Sequence, residues 1–405
     1  LILIENSCDF NKGSLRVEKG LQKPFSTLKS PPVLQQAARA VFISERKYTF
    51  FFHQKSQRNS GYIVLIILAM CLLNSCLSKK EKAPITPALY HWQTEVDLSD
   101  FEKKYLNDFP IQKLYLKFFD VDKENGQIVP KALIYGDSLS VILKNKTIIP
   151  TVFITNRTLK DISPPEIIDL SKKIASKINF VAKQNNLYFQ EIQLDCDWTL
   201  TTKTAYFELI KSIRQQLPNE VKISATIRLH QIKFAEKTGV PPVDRGMLMY
   251  YNMGDLDNLE TRNSILDNEI GQQYLKNASN YPLELDIALP IFAWGVLFRD
   301  GRMIRLINDL RATDLVDTSR FEKEDVTHFK IKKSNYLKGY YLYEGDEIRL
   351  ESSPQSELEN AAERLAPILN GTKRNLVFYH LDSTNLQTFP IANLKKIMNV
   401  FDTKK

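Results

Sequence analysis

Tyr188–Thr199 reads YFQEIQLDCDWT, and its alternation decides the fold. A strand turns successive side chains to opposite faces, so Ile192, Leu194 and Cys196 share one side while Gln193, Asp195 and Asp197 share the other. One side is apolar and the other acidic. A sandwich strand puts its polar side in water, whereas a strand of a closed parallel barrel gives its apolar side to the surrounding helices and its other side to the lumen. The stretch therefore predicts a barrel strand with Asp195 and Asp197 at its carboxyl end, where barrel enzymes hold their chemistry. A structural role competes with the catalytic one: Asp197 capping a turn and Asp195 paired with a buried base.

Working outward, seven more β-type runs alternate with helical ones: Ala88–Thr94, Lys113–Val121, Thr147–Asn156, Lys222–Gln231, Gly246–Met253, Leu283–Ala293 and Asn375–Asp382. With Tyr188–Trp198 they make eight, the number a closed barrel requires. Helices are predicted over Pro164–Lys183, Lys203–Leu217, Ser353–Leu369 and Ile391–Phe401. The third opens with Ser353-Pro354, a cap followed by a residue suited to the first turn. The fold class expected is α/β, a (β/α)8 TIM-type barrel over 88–401. Between the seventh and eighth strands the alternation breaks at 299–352, read as a small α+β insertion at the barrel mouth, where such segments shape access.

Upstream of the barrel, Tyr62–Leu73 (YIVLIILAMCLL) is an apolar run behind Lys55 and Arg58. It is short for a bilayer span, which takes about 20 residues, and suits a secretory signal. Leu73-Asn74-Ser75-Cys76 follows it and is similar to a bacterial lipobox, which implies cleavage of 1–75 and lipidation of Cys76. Residues 76–87 would then be a Lys/Pro tether, and Leu77 after the cysteine implies an outer-membrane destination in the cell envelope. Of the four cysteines, Cys8 and Cys71 leave with the leader, so Cys196 has no intrachain partner for a disulfide.

The formal charge of +8 is unevenly placed. Of 55 Lys and Arg and 47 Asp and Glu, 10 and 4 fall within 1–75, which leaves 45 against 43 in the rest. The basic excess belongs to the leader, and no nucleic-acid surface is expected.

Three tryptophans, Trp92, Trp198 and Trp294, all fall at or just past predicted strand ends, with Tyr250, Tyr251 and Phe292 nearby. Aromatics on a barrel rim suit a sugar, whose C–H faces pack on ring planes while its hydroxyls seek polar partners. Large aromatics also plug barrel ends as core.

These stretches resemble the chitinase-like, family-eighteen glycoside hydrolases across most of 88–385. LDCDWT resembles the fourth-strand signature D-x-x-D-x-D-x-E, Met249-Tyr250-Tyr251-Asn252 the sixth-strand M-x-Y-D, and Leu285–Phe298 the seventh-strand segment. The resemblance implies a saccharide ligand. It places Asp195 and Asp197 at the second and third acids, Tyr251 at the tyrosine that holds the substrate carbonyl, and Asn252 at the last position with an amide replacing the acid. It also exposes a departure: Thr199 stands where the family has its general-acid Glu, and Ile192 where it has the first Asp. A hydroxyl does not protonate a leaving oxygen at neutral pH.

Three readings stay open. The site binds a saccharide through Trp92, Trp198, Arg228, Tyr251, Asn252 and Trp294 without hydrolysing it. Alternatively, Asp195 and Asp197 work as a catalytic carboxylate pair whose pKa values split. Or His91, His230 and His380, near the ends of strands one, five and eight, surround a metal with Asp195 or Asp382. The absence of His-x-His or His-x-x-x-His spacing argues against metal, and no cofactor is implied, since there is neither a Gly-rich phosphate loop nor a nucleophile elbow. Arg228 and Lys117, polar members of apolar strands, are the expected ion partners of the two aspartates.

Overall fold

Eight parallel strands close on themselves. The computed structural model describes residues 84–137, 139–369 and 374–403; the expected signal segment, Cys76 and the expected tether as far as residue 83 lie outside the described residues. The barrel strands are β1 (Ile85–His91), β2 (Lys113–Glu124), β4 (Thr147–Ile154), β5 (Glu191–Asp195), β6 (Lys222–Arg228), β7 (Arg245–Met249), β8 (Leu285–Pro290) and β16 (Arg374–Tyr379). Each pairs in parallel with its neighbours in chain order, β16 joins β8, and β1 pairs with both β16 and β2 to shut the cylinder. All eight strands expected from the sequence are present. The first begins at Ile85, so Ile85–Pro87 of the expected tether belong to the barrel wall.

Alternation sets the two layers. Ile192 and Leu194 of β5, Ile223 and Ile227 of β6 and Leu248 of β7 are fully buried under helices. Tyr90, Tyr115, Gln193, Thr226 and Asp195 fill the lumen, where the Tyr90 hydroxyl donates to Gln193 Oε1 at 2.5 Å. The longer helices are α1 (Asp100–Asp108), α2 (Pro164–Gln184), α3 (Lys203–Gln216), α4 (Asn268–Leu275), α5 (Gln355–Leu365) and α6 (Ile391–Thr403). In α2, Pro164 occupies the first turn and the Ser163 backbone N–H donates to Glu166 at 2.8 Å, a start signal readable in the sequence. Its buried stripe of Ile167, Leu170, Ile174, Ile178 and Val181 recurs every three or four residues. Among the described residues no helix is long and apolar enough to cross a membrane.

The interruption before the last barrel strand is a second, antiparallel sheet with order β10-β9-β15-β12-β11: β9 (Trp294–Arg299), β10 (Arg302–Asn308), β11 (Phe321–Lys323), β12 (His328–Ile331) and β15 (Glu347–Glu351). A separate hairpin pairs β13 (Asn335–Leu337) with β14 (Tyr340–Leu342). The sheet begins at Trp294, ahead of the expected Arg299. In place of the expected α+β mixture, its helical content among the described residues is the 3-10 turn Ala312–Leu315. Glu344-Gly345-Asp346 is a turn as expected, with Gly345 at φ 89°, but it joins strands of two different sheets.

Candidate saccharide site at the barrel mouth

The mouth is assembled by the ends of the barrel strands, with Arg228 among the acids. Arg228, the last residue of β6, donates from Nη2 to Asp195 Oδ1 at 3.1 Å and from Nε to Asp197 Oδ1. Asp195 also accepts from the Thr226 hydroxyl at 2.6 Å. Burial pushes the Asp195 carboxyl above its usual range; the Arg228 guanidinium pulls the other way, and Asp197 adds to the rise. The two acids differ in access: the Asp195 side chain is 2% exposed and that of Asp197 34%. Arg228 is thus the base that pairs with both aspartates, as its place in β6 suggested.

Lys117 does not reach those acids. Its partner is Asp120, 3.3 Å away on the same strand. The register of β2 against β4 shifts between Lys117 and Phe119, a bulge that lets two consecutive apolar residues be buried and turns Asp120 toward the lumen with Lys117. Asp120 is a site residue that regular alternation misses. The doublet Phe118-Phe119 between two charged residues is the signal that could have found it. Burial raises the Asp120 carboxyl, opposed by Lys117, whose ammonium also donates to Asp120 Oδ2 at 3.4 Å.

Above the charges lies an aromatic cluster centred on Tyr379 of β16. Its ring centroid is 5.4 Å from that of Tyr251, 5.7 Å from Trp92 and 5.7 Å from Phe292. Trp92 also meets Phe153 at 6.5 Å and lies 5.7 Å from the Lys117 ammonium. Tyr379, Tyr251 and Phe292 are buried, while Trp92 keeps part of its ring exposed. The Tyr251 hydroxyl lies 3.2 Å from Met249 Sδ, and its pKa is raised by burial, with Arg228 opposing. Asn252 follows β7 at φ 54°, a left-handed conformation that Asn tolerates better than most residues, and is exposed on the rim.

Two expected binding residues are corrected. Trp198 is fully buried, stacks on Tyr206 of α3 with centroids 5.2 Å apart, and donates its indole N–H to the Thr238 carbonyl at 3.0 Å. It shares parity with Ile192, Leu194 and Cys196, so the alternation that aims Asp195 inward aims Trp198 into the helical layer. Trp294 opens the second sheet, is 7% exposed, and donates its N–H to Glu351 Oε2 at 2.6 Å. It touches the mouth only by packing on Phe292 at 5.2 Å.

Thr199 is tied into its loop: its N–H donates to Thr202 Oγ1 at 2.9 Å, and its hydroxyl lies 2.9 Å from that of Thr201. The histidines do not gather as metal ligands. Among the described residues no group of three or more His, Cys, Asp or Glu side chains is placed to hold a metal ion.

His91 instead carries a stability signal. It is 2% exposed, its Nδ1 lacks a partner, and burial, reinforced by His380 and opposed by Asp382, brings its pKa down to about 4. The folded value lies below the unfolded value of about 6.5, so the unfolded chain takes up the proton first as pH falls. Stability held above about pH 6.5 is lost on the way to pH 4, by about 3 kcal/mol for this group. Urea unfolding across that window should show the loss, and His91→Phe should remove most of it. Superimposable pH profiles for the two proteins would contradict the assignment.

Neither a family model nor a curated protein sequence matches the chain. Among solved structures, it resembles the spore cortex-lytic enzyme SleL of Bacillus cereus, with TM-score 0.51 and 12% identity over 80% of this chain and 75% of that one. The SleL of Bacillus megaterium QM B1551 superposes with TM-score 0.50 and 13% identity over 78% and 75%. At these identities the likeness is one of fold. The chain shares with them the fold of a closed barrel of eight parallel strands.

Proposed function

We propose that this chain is an exported, lipid-anchored protein that binds a saccharide at the barrel mouth and does not hydrolyse it. The observation that carries the reading is the mouth itself. Trp92 is partly exposed there, 5.7 Å from the Lys117 ammonium, and the Asp197–Arg228 pair of the same mouth is partly open to solvent. A pyranose laid on Trp92 would direct hydroxyls to that pair and to the exposed Asn252. The position that would need an acid holds Thr199, whose hydroxyl already serves its own loop. A glycan panel read by titration tests this. Trp92→Ala should weaken the bound oligosaccharide by at least about tenfold, as truncation of an aromatic anchor does, and Trp198→Phe should leave affinity unchanged. Equal affinity in Trp92→Ala, or no ligand at all, would overturn it.

A second reading, glycoside hydrolysis by Asp195 and Asp197, draws on one observation: Asp195 is pushed toward its protonated form by burial and by Asp197. Arg228 favours the charged form of Asp195, which is the wrong direction for an acid.

Lipid anchoring rests on the Tyr62–Leu73 run and Leu73-Asn74-Ser75-Cys76. Cells fed labelled palmitate should incorporate label into the native chain and not into Cys76→Ser. Equal labelling of both would end the anchor, and with it the proposed outer-membrane location.

A further inference from the structure

The outer wall of the barrel is left incompletely covered beside α2. A (β/α)8 barrel lays a helix over the wall after each strand, but β2 is followed by β3 (Gln127–Lys131) and then by a single helical turn, Leu139–Ile142. The result is a cavity of about 400 Å³ between α2 and the β2–β3 hairpin. Phe119 and Val121 of β2 and Leu170 and Ile174 of α2 supply buried apolar surface, and Phe180 stands exposed at one end. The rim carries Lys173, already paired with Asp169 at 2.7 Å, and Lys177. Among the described residues Lys177 has no carboxylate within ion-pair distance; its ammonium lies 5.3 Å from the centre of the Phe180 ring.

We propose that this groove binds a single free fatty acid, its chain lying along α2 and its carboxylate at Lys177. The volume falls within the range of small-ligand pockets, and a helix about 10 Å across would not enter it. The walls are nearly devoid of hydrogen-bonding groups, so a sugar or peptide would leave its polar atoms unpaired there, whereas a hydrocarbon loses nothing. From Leu170 to Phe180 the helix runs about 15 Å, the reach of roughly a dozen methylene groups. The unneutralised ammonium fixes the sign of the head group.

The proposal is independent of the saccharide reading and is tested on the full chain with dodecanoate and dodecyltrimethylammonium, both kept below their micellar concentrations. Dodecanoate should bind at least about tenfold more tightly than the cationic amphiphile, and Lys177→Glu should reverse that order. Ser176→Trp, on the exposed rim, should abolish binding of both while leaving the thermal melt unchanged. No dodecanoate binding by the native chain overturns the proposal. So does an order of affinities that Lys177→Glu leaves as it was, or full binding by a folded Ser176→Trp protein.

Discussion

Arg228→Met lowers the unfolding free energy by about 3–5 kcal/mol at pH 7, the range found when one partner of a buried ion pair is removed. Arg228 is the cation shared by Asp195 and Asp197, and the carboxylate of Asp195 is almost entirely out of water. Without the guanidinium, Asp195 keeps only the Thr226 hydroxyl of its present side-chain partners, and an unpaired buried charge is costly. The effect depends on pH in a direction that identifies its cause. With the cation gone, burial raises the Asp195 pKa further above its unfolded value of about 3.9. The stability deficit is then absent below that value and grows as pH rises through the folded pKa. Urea unfolding should show a large deficit at pH 7 and a smaller one at pH 5, and adding Asp195→Asn should recover part of it. A deficit under about 1 kcal/mol at pH 7 would place the pair among weak surface contacts.

Arg349→Leu carries a comparable cost, about 3–5 kcal/mol, at a different place. Arg349 and Glu351 sit two apart on β15, share a face, and have side chains with no exposure at all. Arg349 Nε donates to Glu351 Oε1 at 2.6 Å, and its guanidinium also serves the Asn258 carbonyl in the loop after β7. Glu351 Oε2 in turn accepts from Trp294 and from the Ser264 hydroxyl. One buried pair therefore fastens the second sheet to the loop that carries Asn252. Its loss should lower the urea midpoint and speed amide hydrogen exchange in residues 256–266 more than in the barrel strands. Unchanged exchange in that loop would show that something else holds it.

How much of this was legible follows from physical periodicities. The eight strands could be read because each is a run with a buried apolar side bounded by turn residues, and the barrel followed from an acidic side that had to face inward. Arg228 as the partner of the aspartates followed from a charge on an otherwise apolar strand. What escaped did so for identifiable reasons. Asp120 hides behind a bulge that breaks strict alternation in β2. Trp198 was assigned to the rim by its nearness to Asp197, although its parity with Cys196 already sent it to the helices. Trp294 looked like a strand-end aromatic because the second sheet starts five residues earlier than composition suggested. Tyr379, the ring at the centre of the mouth, ends a strand in which Leu376, Val377 and Phe378 precede it, so only the three-dimensional closure of β16 onto β1 brings it beside Trp92.

The mouth's chemistry turns on whether Asp195 or Asp197 can give a proton to a leaving group. The most direct test incubates the purified chain with the glycan it binds and weighs the recovered ligand by mass spectrometry. Binding without cleavage predicts an intact oligosaccharide and no new reducing ends. Shortened products that disappear with Asp195→Asn or Asp197→Asn would contradict that account and make the two aspartates the catalytic pair.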